Sequence, residues 1–422
     1  MAPRLRLLTA LAGLLVLFAG AHSVAAQAGP TVTDGGVQNN FPQGMVFTVS
    51  AHGQSPIQKI RLRYTIMPDG TAAIGQPEFT PGPSVTASFE LEGNNPPKIY
   101  LPPGTTIQYY WEVTDAAGNT SKSETATFSY DDTRFDWKPV RQSGVTIYYY
   151  SGSEDDARQM LGVATETIAS MSRLLGAEIT FPVKVWIYDS VSDMRPALAR
   201  RSATFEQSII TAGVRVSSDT VLVLGKVSFD TLRHELTHVV TAVAGESALG
   251  SLPAWLDEGT AVYGQGNPGS FESAVKRAID RGNVLSVRSI SAYPGDPDKV
   301  ELFYGEAWSL VSFLNEKFGP EKFARLFAEV KKGKRVGEAL QAVYGFDQDG
   351  LEDQWRAFHG LPARETPPPI LSPSPSGQPP TANGSSDGDS TPAGLIVGLV
   401  LGTLALAAAV GVAGVTLARR FR

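Results

Sequence analysis

Hydrophobic and polar positions change rhythm several times along the chain, and each change marks a different kind of structure. Between about 30 and 132, short runs alternate or are rich in β-branched residues: Met45–Ala51, Ile57–Ile66, Ser84–Leu91, Thr106–Thr114 and Glu124–Tyr130. Alternation sends successive side chains to opposite faces of a strand. Turn signals separate the runs, among them Pro68-Asp69-Gly70, Gly93-Asn94-Asn95-Pro96-Pro97 and Ala116-Ala117-Gly118-Asn119. Short strands punctuated in this way predict an all-β sandwich.

From about Arg134 the period becomes mixed. Val145–Tyr150, Val183–Tyr188, Ser208–Val216 and Thr220–Leu224 read as strands, the last two joined by a turn at Ser217-Ser218-Asp219. Glu154–Leu175 carries Met160, Leu161, Ala164, Ile168 and Met171 at helical spacing. A second helix starts near Ser228 or Asp230, either of which is a capping residue, and ends near Gly245. After a loop at 244–252, Pro253 opens a short helix, where its missing N–H does no harm. Phe271–Arg281, Glu301–Lys317, Glu321–Lys332, Val336–Val343 and Leu351–Phe358 continue as helices. The expectation is an α+β domain over 134–360 with a helical C-terminal half.

The two ends differ from both domains. Arg4 and Arg6 precede an apolar run from Leu7 to about Gly20, and Val24-Ala25-Ala26 supplies small residues. Residues 1–26 therefore read as a secretory signal peptide cleaved after Ala26, with an uncleaved anchor as the alternative. Pro, Ser, Gly, Asn and Asp dominate 361–392, a composition too poor in apolar surface to offset ordering entropy, so that stretch reads as a disordered stalk. Residues 394–417 carry no charge and suffice to cross ~30 Å of hydrocarbon as one transmembrane helix. The basic residues in 418–422 mark a cytoplasmic tail. Together these predict a single-pass membrane protein whose folded domains lie outside the cytoplasm.

Composition removes some chemistries. The 422 residues carry a net charge of −6, and no basic patch suggests nucleic acid. Cysteine is absent, which excludes disulfides, thiolate metal sites and a cysteine nucleophile. Histidine numbers only 5, and two fall in one motif, His234-Glu235-Leu236-Thr237-His238. Positions i and i+4 share one helix face, so both imidazoles can reach one metal ion. Glu235, about 100° round the axis, stands beside the open position where a general base is needed. The bland alternative is a helix whose histidines cap or pack. Of the others, His22 lies in the leader, His52 is remote, and His359 reads as a surface residue.

No third histidine follows at the spacing some such sites use, since Thr241 and Ala244 stand there. A carboxylate must complete the set, or it stays incomplete, and Glu246, Asp257 and Glu258 are the nearby candidates. Glu246 lies in an expected loop. Asp257 and Glu258 point about 100° apart, so only one faces a metal.

The segment Trp255-Leu256-Asp257-Glu258-Gly259-Thr260-Ala261 resembles the second motif of the glutamate-zincin (gluzincin, peptidase MA-like) metallopeptidases. The resemblance covers the two motif helices well and extends loosely over about 135–360. It implies a zincin-like fold and one Zn2+ per chain, held by His234, His238 and Glu258. Asp257 is then an outer partner for an imidazole N–H, or else a solvated helix charge. The family also implies a small sheet whose edge strand pairs with an extended peptide, and Thr220–Leu224 is assigned to that edge by analogy. Trp255, Leu256 and Ala261 are expected to pack the second motif helix on the first, with Gly259 and Ala261 allowing close approach. Tyr304 occupies the position of a residue that would stabilise the oxyanion, with a packed aromatic as the alternative. Tyr109–Asp115 followed by Gly118-Asn119 resembles a late strand and turn of immunoglobulin-like or fibronectin-type modules, and that domain is expected to bind a partner or act as a spacer.

The reading that follows is a membrane-anchored zinc metallopeptidase in which Glu235 takes a proton from a metal-activated water during attack on a peptide or protein substrate. The alternative is a non-catalytic adhesion or sensing protein built on the same fold.

Overall fold

The computed structural model describes residues 29–93, 100–199, 213–225 and 229–364. The expected signal peptide, most of the stalk, the transmembrane helix, the tail and the start of the Ser208–Val216 strand lie outside the described residues. Among the described residues, no helix is long and apolar enough to cross a membrane.

The N-terminal part is built from β1 (Thr31–Asn39), β2 (Gly44–Met67), β3 (Thr71–Gly75), β4 (Gly82–Glu92), β5 (Thr105–Asp115), β6 (Thr120–Lys122) and β7 (Ala126–Tyr130). The two strands expected at 45–51 and 57–66 are one 24-residue strand, β2. Its first half buries Met45, Phe47, Val49 and Ala51, while its second half buries Ile60, Leu62 and Tyr64. The inward face thus passes from odd to even positions, because a bulge between Ile57 and Lys59 inserts one extra residue. The first half pairs with β1 and β4, the second with β3 and β5. The two halves then face each other, as Phe47 meets Tyr109 at 5.0 Å between ring centroids. Strands β1 and β6 were not expected from the alternation, since their polar residues give no apolar rhythm, and neither was β3, which is short and mostly exposed.

The second part opens with β8 (Lys138–Gln142), β9 (Val145–Tyr149), α1 (Glu154–Leu175), β10 (Val183–Tyr188) and the short α2 (Val191–Met194). Ser153 caps α1 in a reciprocal capping box with Asp156, and three acidic residues fill its first turn, which explains so sharp a start. Next come β11 (Gly213–Arg215), β12 (Thr220–Leu224) and α3 (Phe229–Gly245). Asp230 sits inside the first turn of α3 rather than capping it. The remaining helices are α4 (Ala254–Gln265), α5 (Ser270–Arg281), α6 (Val300–Phe318), α7 (Pro320–Lys331), α8 (Val336–Tyr344) and α9 (Gln348–Phe358).

The five-stranded sheet runs β11-β12-β10-β9-β8, with β9, β10 and β12 parallel and the outer two antiparallel. This corrects the edge assignment: Thr220–Leu224 is interior, and β11 lies outside it. The sheet is apolar on both faces, as a covered parallel core requires. Val145, Ile147, Val185, Ile187, Val221 and Val223 pack on α1 and α3. On the opposite face Trp186, Tyr188 and Leu222 join the core of the N-terminal strands. A third core, with Trp255, Phe303, Phe313, Phe323, Phe327 and Trp355 at its centre, binds the C-terminal helices together. Each fully buried phenylalanine there contributes roughly 1.5–3 kcal/mol.

Candidate metal centre

Helix α3 presents His234 and His238 on one face, as the i, i+4 spacing requires, and both rings are buried. Helix α4 lies across it. Trp255, Leu256 and Ala261 are fully buried, as expected. The close approach of α4 to α3 is made at Gly264, where a β-carbon would lie 2.2 Å from Thr237 Oγ1. Gly259 instead abuts α6, since its β-carbon would lie 2.3 Å from the Ala307 carbonyl oxygen. These two contacts set the depth at which Glu258 enters the site.

The three heteroatoms converge. His234 Nε2 and His238 Nε2 are 3.2 Å apart, and Glu258 Oε2 lies 3.2 Å from the first and 3.5 Å from the second. Glu258 is completely buried, yet Oε2 has no hydrogen-bond partner. Leaving a buried carboxylate oxygen without a donor is costly. A tetrahedral ion with bonds of about 2.0–2.2 Å spaces its ligand atoms about 3.3–3.6 Å apart, which the observed triangle fits. Two imidazoles and a carboxylate form a donor set suited to zinc and acceptable to other divalent ions.

Neighbours orient each of the three side chains. Asp257 Oδ1 is 3.0 Å from His238 Nδ1 and accepts from Thr241 Oγ1 at 2.6 Å. It is therefore a buried partner of the ring and not a solvated charge. The side-chain amide of Gln265 touches His234 Nδ1 at 3.2 Å. The amide nitrogen faces the ring there; turned end for end, the amide would accept from Nδ1–H through its oxygen and leave Nε2 of His234 with its lone pair. The phenol of Tyr293 donates to Glu258 Oε1, which turns the other oxygen towards the imidazoles.

Glu235 is buried beside the triad, and its Oε2 accepts from the backbone N–H of Arg215 at 3.0 Å. Burial holds its carboxyl above the ordinary range, although His234 and His238 oppose that. For Glu258 burial acts in the same direction but is outweighed by His238 and His234, so its carboxyl stays ionised well below the usual range. Burial disfavours a charge on His238, yet Asp257 and Glu258 outweigh it and raise that imidazole's proton affinity. The pocket thus gathers carboxylates in a dry environment and attracts a cation.

Tyr304 is buried against Phe271, with ring centroids 5.1 Å apart and stacked, and its ring centroid lies 6.3 Å from that of His234. The phenol of Tyr293 touches Glu258, and the sequence reading missed it. It lies in Ser291-Ala292-Tyr293-Pro294-Gly295, which shows neither helical nor strand rhythm. Its segment is tied down by side chains of α6 and α9. Glu306 accepts from the Leu285 N–H at 2.9 Å, Glu352 from the Val287 N–H at 3.1 Å, and Gln348 donates to Ser291 Oγ at 2.7 Å. Glu246 pairs loosely with Arg215 at 3.7 Å and supplies no ligand atom to the triad. His359 is half-buried rather than a surface residue, stacked edge-on against Trp355 and 3.3 Å from Ser309 Oγ.

Residues 163–360, which carry the site, match the model of a family described as the peptidase MA superfamily. No curated protein matches the chain. Among solved structures, a bromine derivative of BhCBM56 is 13% identical, with 23% of this chain and 90% of that one covered and a TM-score of 0.17. The putative ApaA protein from Bordetella pertussis is 14% identical, with 26% and 98% covered and a TM-score of 0.18. Astrotactin-2 is 12% identical, with 36% of this chain and 26% of that one covered and a TM-score of 0.15. Scores this low define neither fold nor activity.

Proposed function

We propose that the chain is a zinc-dependent metallopeptidase that hydrolyses peptide bonds with Glu235 as general base. The observation that carries this reading is the buried triangle of His234 Nε2, His238 Nε2 and Glu258 Oε2, with Glu235 next to it. When bound, the ion acidifies a water and polarises the substrate carbonyl. His234, His238 and Glu258 would hold it. Glu235, with its proton affinity raised by burial and fixed by the Arg215 amide, accepts the proton of the attacking water and returns it to the leaving nitrogen. Asp257 and Gln265 keep the imidazoles in register, and Tyr293 does the same for Glu258. Tyr304 flanks His234 on the side of α5 and α6.

In the same proposal the N-terminal strands form an immunoglobulin- or fibronectin-like module, the second domain has a zincin-like fold, and the substrate is a peptide or protein. The apolar leader and C-terminal span carry the domains across the membrane and anchor them on its outer side. Metal analysis of the purified full-length chain, with a casein digest, tests the reading. One zinc per chain and chelator-sensitive cleavage are expected. A metal-free chain that cleaves, or a zinc-loaded chain that cleaves no peptide, would overturn it.

A further inference from the structure

The donor that fixes Glu235 is the backbone N–H of Arg215, the last residue of β11. That strand is three residues long and pairs with β12 along that short length. So short an outer strand has few backbone bonds of its own to resist local opening. Besides its contacts with Glu235 and Glu246, it is supported by the N-terminal β domain.

Polar and apolar contacts make the connection. Ser218, at the tip of the β11–β12 hairpin, donates to Asp69 in the turn between β2 and β3. Asp219 is buried, accepts from the Ser217 and Thr220 hydroxyls at 2.9 and 2.8 Å, and pairs with Lys184 at 3.0 Å. Lys184 Nζ also donates to the Gly104 carbonyl and, at 3.2 Å, to Thr106 Oγ1, both in the β domain. Val214 and Val216, on either side of Arg215, lie in the same apolar core as Phe47, Trp111 and Tyr130.

The joint between the domains is packed as well. Phe135 stacks on Tyr150 at 4.1 Å, and Trp137 crosses Trp186 at 4.8 Å. Tyr188 donates to the buried Asp132 at 2.9 Å, and Arg134 pairs with the same carboxylate at 2.6 Å. A mobile spacer would not bury its linker among aromatic rings.

We infer that the β domain is a positioning element of the active site: through Asp69, Gly104 and Lys184 it holds the β11–β12 hairpin, and so places the Arg215 amide against Glu235. The inference deepens the peptidase reading and rests on Glu235 as its base. Its test reads the hairpin directly, so the two can fail separately.

The experiment compares backbone amide exchange by mass spectrometry in the full-length chain and three variants. Lys184→Met removes the bridging cation. Gly104→Ala wedges the interface, because a β-carbon there would lie 2.9 Å from Trp186 Nε1 and 3.1 Å from Lys184 Cδ. It also strains a backbone with φ of +81°, so Gly118→Ala serves as control, with φ of +85° and open space around it. Should Lys184→Met fail to fold because Asp219 is left unpaired, Gly104→Ala carries the test. Exchange in the segment containing Arg215 is expected to rise at least tenfold in the first two variants. Exchange in α1 should stay at the parent rate, and Gly118→Ala should match the parent throughout. Zinc content stays at one per chain, and turnover falls at least fivefold with KM within twofold. Parent-like exchange around Arg215 in both interface variants overturns the inference, and so does acceleration in α1 in step with it. A parent chain without peptidase activity sinks the peptidase reading instead, and the exchange data still decide this one.

Discussion

Asp257 Oδ1 lies 3.0 Å from Nδ1 of His238, and this contact decides which ring nitrogen is left to face the triad. With Nδ1–H donating to the carboxylate, Nε2 keeps its lone pair and points at Glu258 and His234.

Replacing Asp257 with Ala frees the ring to rotate and to change tautomer. Outer partners of this kind are worth about 10–100-fold in metal affinity. Asp257→Ala is therefore expected to weaken zinc binding by that factor, measured by competition with a chromogenic chelator. Unchanged affinity would mean that packing of the ring, and not the carboxylate, fixes its orientation.

Tyr293 and Tyr304 can be told apart by removing one hydroxyl at a time. Tyr293→Phe deletes the donor to Glu258 Oε1 and is expected to lower kcat/KM by about tenfold, in line with loss of a hydrogen bond to a charged group. Tyr304→Phe keeps the stacking on Phe271 and is expected to cost less. Steady-state kinetics on one peptide substrate decides the order.

Glu306 gives the fold a pH dependence of its own. Burial pushes its carboxyl up to about 8, with Glu352 adding to the effect, while the Leu285 N–H works against it. The folded state therefore binds this proton more tightly than the unfolded chain does. Its contribution is fully present below pH ~4.5 and is lost as pH rises through about 8. The loss is on the order of 5 kcal/mol at most, at about 1.4 kcal/mol for each pH unit between the two values. Glu306→Gln should flatten this dependence, so that thermal melts of variant and parent converge near pH 5 and separate above pH 8 in the variant's favour. Parallel melting curves across that range would contradict it.

Glycine substitutions test the helix contacts that seat Glu258. A β-carbon at 259 meets a backbone carbonyl, which cannot move aside. Gly259→Ala is expected to destabilise by roughly 1–3 kcal/mol or more and to reduce zinc content, because α4 must shift. Gly162 on α1 has open space around it, and Gly162→Ala is expected to stabilise by roughly 0.5–1 kcal/mol. Melting temperature and metal content report both.

Much of this was legible in the sequence, for local reasons. Glu154–Leu175 was bounded correctly because Met160, Leu161, Ala164, Ile168 and Met171 recur at helical spacing. The candidate metal-binding cluster followed from the i, i+4 histidines and, for Glu258, from the resemblance of its motif to the gluzincins. The parts that escaped depend on chain segments meeting from a distance. The continuous β2 hides a change of face at its bulge, which alternation alone reads as a break between two strands. The donor to Glu235 is a main-chain amide, and any residue at 215 other than proline could supply it. Tyr293 reaches the site because Glu306 and Glu352, two buried carboxylates on separate helices, hold its segment. Nothing in the local sequence around any of these residues announces the contact.

The central claim is most directly tested by Glu235→Gln, which keeps the shape of the side chain and removes its ability to accept a proton. The variant is expected to retain one zinc per chain and to lose about 10²–10⁴ in kcat for peptide cleavage. A variant that holds its zinc and cleaves as fast as the parent would contradict the account.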